Sequence, residues 1–358
     1  MTHFLQDILR QPEELEQVIK LLGGELSGSL QEASETISRA SHVFFTGIGA
    51  SWNAALGAGA LFHREGRPVY LLDASELLYN TQIPAESAVV ILSRSGRSAE
   101  ILQLLEKVQT AAARVVGITN FAGEGLDQKA DTSIVLPVDP DHGISANTYI
   151  SLAAGATALA ATVAGTFHAA FTMDLLRTIK ETKKKIALWQ EQLTKSSWLL
   201  PGAVYYFLAR GSNLASSNEA QLLWEEAVKM PAVALGTDAF RHGPQEAVTS
   251  GMRVGIWIDN HAREADYAVA RDLRSLGTVV MAVGSALPTE TGDLTIELPH
   301  WPHGWQFLMN ILPAQLAAER LAALSGVDCD AFRYASYVVE DSFGLLPQLN
   351  NFTNNDRK

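Results

Sequence analysis

The sequence predicts an α/β fold made of two tandem domains, each a parallel sheet flanked by helices. Three observations lead there. Short apolar runs alternate with longer segments of helical periodicity, the pattern of strands joined by crossover helices. The runs are almost continuously apolar, as in Ala88–Leu92 (AVVIL) and Val115–Thr119 (VVGIT), which suits strands buried on both faces. The pattern then restarts halfway along the 358 residues. Phe44–Ser51 lines up with Tyr206–Asn213, Val90–Ser93 with Ile256–Asp259, and Val115–Val116 with Val279–Val280, at a nearly constant offset. Such a duplication creates room for a composite site where the copies meet.

In chain order, residues 4–40 read as a helical arm, with Leu15, Val18, Ile19 and Leu22 at helical spacing. Strands are expected at 42–46, 68–72, 88–92, 115–119 and 133–136, with helices at 52–63 and 98–110. Gly143–Met173 contains no Asp, Glu, Lys or Arg. Its middle is Ala, Gly and Thr rather than large apolar residues, so it reads as a buried helix and not a lipid-facing span. A charged helix over 180–195 connects the halves, and its Lys183–Lys185 run reads as a solvated face. Strands at 204–208, 254–258, 278–283 and 294–298 follow, with helices at 215–228, 262–275 and 306–324. The expected division is an arm at 1–40, a first domain at 41–170, a connector at 171–200, a second domain at 201–344 and a polar tail at 345–358.

Composition narrows the function. Lys plus Arg is 27 against 39 for Asp plus Glu, a net charge of -12. An acidic surface repels nucleic acid and anionic lipid, so neither is an expected partner. The single cysteine, Cys329, rules out a disulfide framework and a cysteine-based metal site; no metal and no cofactor are expected. The first sixteen residues lack the basic and apolar regions of a signal peptide, and a cytoplasmic location is expected.

Two loops at the C-terminal ends of predicted strands are suited to an anion. Gly47-Ile48-Gly49-Ala50-Ser51 offers backbone approach and a helix start. Ser93-Arg94-Ser95-Gly96-Arg97-Ser98 offers three hydroxyls, two guanidinium groups and another helix start. A plain N-cap at Ser98 would need one hydroxyl only. The duplicate loop, Asp259-Asn260-His261-Ala262-Arg263-Glu264, has lost the serines, so phosphate is expected in the first copy alone. Gly47-x-Gly49 is half of a dinucleotide fingerprint, but Trp52 stands at the third glycine position and argues against that reading.

Proton chemistry is placed on the predicted helix 215–228. Glu219 and Glu226 are seven residues apart and share a face. His242 follows in Phe240-Arg241-His242-Gly243-Pro244, a turn that holds the imidazole. Residue types admit both an acid–base pair, Glu226 with His242, and a bland reading. Glu225 is expected to pair with Lys229 on a wet surface. The remaining histidines weighed, His42, His63, His168, His300 and His303, are expected to be structural.

These motifs resemble the double sugar-isomerase-domain (SIS) family over essentially the whole chain. That family includes the isomerase half of glucosamine-6-phosphate synthase, amino-sugar-phosphate deaminases and fructosamine-6-phosphate deglycases. The resemblance is carried by Asp7–Pro12, Gly49-Ala50-Ser51, Ser93–Ser98, Gly143–Thr148, Arg210-Gly211-Ser212, Glu219, Glu226, Phe240–Pro244, Val327-Asp328 and Val338–Glu340. It implies tandem flavodoxin-like three-layer domains and a homodimer or higher homo-oligomer, the HGP loop reaching a neighbour's site. It implies a sugar-phosphate substrate held by Gly49, Ser51, Ser93, Arg94, Ser95, Ser98 and Ala146, with Glu219 on substrate hydroxyls. Glu226 would move a proton between C1 and C2, and His242 would assist at oxygen. The synthase's imine-forming lysine falls at Ala335 and its mid-helix lysine at Leu223. Deglycase or deaminase chemistry is therefore expected first. The alternatives are an aldose–ketose isomerase, an aminotransferase-like isomerase without a glutaminase domain, and a non-catalytic sugar-phosphate regulator.

Overall fold

The computed structural model describes residues 1–334 and residue 339. Helix α1 (His3–Gly23) starts at Thr2, whose hydroxyl accepts from the Leu5 N–H at 3.1 Å. A turn at Gly24–Leu26 separates it from α2 (Ser27–Arg39), so the arm is two helices rather than one. The first domain then runs β1 (His42–Thr46), α3 (Ala50–Arg64), β2 (Tyr70–Leu71), a π-turn at Glu76–Asn80, β3 (Ser87–Ser93), α4 (Ala99–Thr110), β4 (Arg114–Thr119), α5 (Gly125–Lys129), β5 (Thr132–Val135) and α6 (Asn147–Val163). Its five strands are parallel, in the order β2-β1-β3-β4-β5.

Helices α7 (Ala169–Lys183) and α8 (Ile186–Lys195) lead into the second domain. This contains β6 (Tyr205–Ala209), α9 (Leu214–Leu223), a π-turn at Trp224–Val228, β7 (Val233–Gly236), α10 (Thr237–Arg241), β8 (Arg253–Trp257), α11 (Arg263–Ser275), β9 (Val279–Gly284), β10 (Leu294–Glu297), α12 (Phe307–Asn310) and α13 (Leu312–Leu324). The order β10-β9-β8-β6-β7 is the first sheet's order repeated, again all parallel. The duplication inferred from three sequence landmarks is thus a duplication of topology.

The strands form where apolar runs can be buried on both faces. All seven residues of β3 are buried. Val90, Ile91 and Leu92 each contribute roughly 2 kcal/mol of apolar burial. Helix α6 is buried along almost its whole length. Its Ala, Gly and Thr side chains let α3 and α1 pack closely against it, which explains the uncharged segment without a lipid. No helix among the described residues is long and apolar enough to cross a membrane.

Several expected elements differ. The connector helix over 180–195 is two helices broken at Lys184–Lys185, and its first begins at Ala169. The closing helix is broken at Ile311. The predicted strand 68–72 shrinks to the two-residue edge strand β2, because Tyr70 is half exposed and has a partner on one side only. Strand β7 was not foreseen. The expected helix 215–228 ends in a π-turn instead of continuing as α-helix. The features expected at Ala335, Val338, Glu340 and the tail 345–358 lie outside the described residues.

Candidate functional site

The C-terminal ends of β1 and β3 open into a cavity of about 280 Å³. Gly49, Ser51, Ser93, Arg94, Ser95 and Ser98 line it from the first domain, and Glu226 lines it from the second. Gly143 and Ser145 wall it ahead of α6, and Phe332 and Val339 come over from the C-terminal segment.

The loop after β3 is tightly built. Gly96 has φ +66°, and a Cβ there would lie 2.9 Å from the Leu126 nitrogen, so the turn requires glycine. The Gly96 N–H donates to Ser93 Oγ (3.1 Å), and the Arg97 N–H donates to Ser95 Oγ (3.2 Å). Each hydroxyl therefore accepts from the backbone and keeps its own proton to give to an anion. Ser98 takes the N-cap position of α4, but its side chain makes no cap hydrogen bond. The bland reading of a hydroxyl consumed by capping does not hold. Of the two arginines, only Arg94 faces the cavity, donating to Ser145 Oγ at 3.0 Å. Arg97 is turned out to Glu124 at 3.0 Å, so the loop brings one guanidinium and not two.

Glu226 sits in the π-turn that ends α9. Burial pushes its carboxyl up to about 7, against the opposing pull of Arg94 and Lys229. A carboxylate poised near neutrality exchanges a proton readily in either direction. Glu219 behaves differently. It is fully buried, accepts from Asn53 Nδ2 of α3 at 2.8 Å, and does not line the cavity. Burial pushes it up to about 8, with the Glu226 charge adding to the rise. Its hydrogen bond with Asn53 joins α9 of the second domain to α3 of the first.

Ala146 is also off the wall. Its N–H donates to Asp141 Oδ2 (3.0 Å), together with those of Asn147 and Thr148 (both 2.9 Å). Asp141 so caps α6 and fixes Gly143 and Ser145 beside Arg94. The arm braces the same segment, since Asp7 accepts from the His142 N–H at 2.8 Å and Arg10 donates to the carbonyls of Asp139 and Pro140. Sequence reading reached this segment as Gly143–Thr148 but not its anchors. The signal available in the sequence was Asp141, within Asp139-Pro140-Asp141 and six residues before Asn147.

His242 is exposed at the end of α10 and does not line the cavity. Glu225 is exposed, but its partner is Gln221, which donates Nε2 at 3.2 Å. The expected Glu225–Lys229 pair is not formed, and the Lys229 ammonium donates to the Glu226 carbonyl instead. Of the histidines read as structural, His168 caps α7 and His63 meets the Val69 carbonyl at 3.0 Å. In the second copy, Asp259 stands where Ser93 stands in the first, and its carboxylate accepts from the His261 N–H at 2.8 Å. Among the described residues, no group of three or more His, Cys, Asp or Glu is arranged to hold a metal ion.

Comparison with known proteins agrees with this arrangement. Residues 36–164 match the SIS domain model. The isomerizing glutamine–fructose-6-phosphate aminotransferases of Pyrococcus horikoshii and Aeropyrum pernix are 25% and 26% identical to this chain over 92% of its length. The chain spans about half the length of these curated relatives, 56% and 55%. Among solved structures, glucosamine-6-phosphate deaminase from Thermotoga maritima superposes with a TM-score of 0.80 at 21% identity, covering 94% of this chain and 99% of that one. Tagatose-6-phosphate ketose/aldose isomerase from Escherichia coli gives 0.78 at 19%, covering 92% and 94%. Residues 36–164 are thus similar to a SIS domain, and the chain as a whole shares the α/β fold of two parallel five-stranded sheets with these solved phosphosugar-protein structures.

Proposed function

We propose that the protein is a phosphosugar-processing enzyme that acts on an amino-sugar or fructosamine 6-phosphate by proton transfer between C1 and C2. One observation carries the reading. One cavity is lined both by a hydroxyl- and arginine-bearing loop of the first domain and by a second-domain carboxyl pushed up to about 7. That is the layout for holding a phosphate at C6 while a base works at the far end of the same sugar. The names of its relatives, an aminotransferase, a deaminase and a ketose/aldose isomerase, support a phosphosugar substrate.

Deglycase chemistry comes first because a fructosamine carries its nitrogen on C1. Glu226 removes a proton from C1 and the C2 carbonyl oxygen is protonated, giving an enaminol. Glu226 returns a proton to C2, and the nitrogen lone pair forms an iminium at C1. Loss of the N–H proton leaves the imine. Water adds to C1, the C–N bond breaks, and a proton goes to the departing amine. The products are glucose 6-phosphate and free amine; one water is consumed and nothing is oxidised overall. Raising the base's pKa towards 7 matches it to an acidic C–H at neutral pH.

The domain division given above and a homodimer are part of the proposal. His242 is exposed and away from its own chain's cavity, which supports a role at a neighbour's site, in proton transfer to oxygen. A cytoplasmic location belongs to the same reading.

The test is enzymatic detection of glucose 6-phosphate from a panel of fructosamine 6-phosphates, with fructose 6-phosphate alongside. Release from the fructosamines is expected. Interconversion of fructose and glucose 6-phosphates without amine release would establish a plain isomerase instead.

A further inference from the structure

The second sheet has a cavity of its own, of about 360 Å³, at the C-terminal ends of β6 and β8. The first cavity holds the same place at β1 and β3, which is where open α/β sheets put ligands. Arg210 and Ser212 line the second-sheet cavity just after β6, and Asp259 and His261 just after β8. His303 lines it from the segment before α12, and Arg64 from the end of α3. The loop backbone is kept between the copies, since Gly49 has φ +57° and Gly211 has φ +56°. The loop chemistry is not kept. The stretch Asp259–Glu264 carries no serine, and an acid opens it. We propose that this cavity is a second, non-catalytic binding site, and that it takes an unphosphorylated amino sugar through its ammonium and hydroxyl groups.

The cavity's cations are already engaged. Arg210 donates from Nε to Asp266 at 2.8 Å and from its other end to Asp238. Arg64 is exposed and donates to the His303 carbonyl at 3.1 Å. Asp259 is the reverse case. It is 6% exposed, its carboxylate accepts from the His261 N–H at 2.8 Å, and it forms no ion pair among the described residues. A buried carboxylate without a cation is costly, and a ligand ammonium beside it would offset that cost.

Two further groups are underused. Ser212 is 5% exposed, and its hydroxyl makes no hydrogen bond among the described residues. His303 Nδ1 is buried with no partner, and the exposed His261 ring packs edge-on to the His303 ring at 4.1 Å between centroids. Burial, and then the Arg64 charge, hold the His303 imidazole below its ordinary value. It is therefore neutral at pH 7, with one donor and one acceptor nitrogen. Buried polar groups are nearly always paired, so three underused ones around one cavity point to a ligand that pairs them. A plain sugar would serve Ser212 and His303 but leave Asp259 without a cation. A sugar phosphate would be repelled by Asp259. An amino sugar serves all three, and the cavity is of a size for one. No residue of the first cavity is used, so the proposal does not depend on the deglycase reading.

The experiment is titration calorimetry of the full chain at pH 7 with glucosamine and with glucose. Glucosamine is expected to bind about tenfold or more tightly than glucose. Asp259→Asn is expected to cut that ratio at least threefold, and because it is a ratio within one protein, a general loss of folded protein does not mimic the effect. Ser212→Ala is expected to weaken both sugars while keeping the ratio. Glu226→Gln, which removes the carboxyl of the first cavity, is expected to leave the ratio unchanged. No saturable glucosamine binding, a wild-type ratio below tenfold, or a ratio that Asp259→Asn does not lower would overturn the proposal. A ratio abolished by Glu226→Gln would overturn it too, by placing the amino sugar in the first cavity. Turnover is not read, so each of these failures leaves the deglycase reading standing.

Discussion

Replacing Glu226 by Gln keeps the side chain's size and its place in the π-turn but removes the base. The expected loss of turnover is about a hundredfold or more, the usual contribution of a positioned general base. The pH profile is the sharper readout. With the carboxyl near 7, about half the wild-type enzyme carries the base at neutrality, about a tenth at pH 6 and about a hundredth at pH 5. Wild-type kcat/KM is therefore expected to climb about tenfold per pH unit up to roughly 7 and then level. In Glu226→Gln that limb should vanish, leaving a low, flat rate. Burial raises the pKa while Arg94 and Lys229 hold it down, so Lys229→Met should move the limb to higher pH. The assay is initial-rate glucose 6-phosphate release in overlapping buffers from pH 5 to 8.5. A Glu226→Gln enzyme with more than a tenth of wild-type turnover, or with the same acidic limb, would refute the assignment.

Other consequences can be checked independently. Ser95→Asp places a carboxylate in the proposed phosphate loop and should abolish detectable binding of a sugar phosphate by calorimetry, whereas a ligand complex with phosphate at Asp259–Glu264 would contradict the expected asymmetry. Glu219 and Glu226 bind protons more tightly folded than unfolded, since about 8 and about 7 lie above the ordinary 4.5. Their stabilising effect is present below about pH 4.5 and is lost as pH rises towards 8, so Tm should fall over that window and Glu219→Gln should flatten the fall. Asp141→Ala strips the α6 cap of three backbone N–H partners and a Thr148 hydroxyl bond of 2.6 Å, and should cost about 3 kcal/mol in urea unfolding. His242→Ala should lower turnover no more than Glu226→Gln does, and sedimentation of the active enzyme should give a dimer or larger; an active monomer would contradict the shared-site reading.

Much of the fold was legible because the strands that matter are apolar runs with polar ends. Strands β1, β3 and β4 lie within two residues of their expected bounds. Strand β7 was not legible: Val233–Gly236 follows Pro231, is only partly buried, and has neither the length nor the alternation of a strand. The π-turn at Trp224–Val228 carries no period that separates it from α-helix, yet it governs the site. Strict α-helical phase puts Glu219 and Glu226 on one face in equivalent settings. The structure puts Glu219 between the domains on Asn53 and Glu226 on the cavity. Helix phase did favour Glu226 over Glu225, and Glu225 is the exposed one. Arg97 and Ala146 were read by loop membership, which does not say which way a side chain or an N–H points. Phe332 and Val339 reach the cavity from more than a hundred residues beyond Glu226, and only folding reveals that. Lys229 was assigned to Glu225 by i,i+4 spacing, a rule that fails where an α-helix gives way to a π-turn.

The most direct measurement follows the hydrogens on C1. Fructosamine 6-phosphate carrying two deuterons at C1 should yield glucose 6-phosphate with a single deuteron at C1, read by proton NMR and mass spectrometry, and should turn over more slowly than the unlabelled substrate. That pattern requires proton removal from C1 before amine release. Fructose 6-phosphate retaining both deuterons would mean direct displacement of the amine, and would contradict the C1–C2 proton transfer assigned to Glu226.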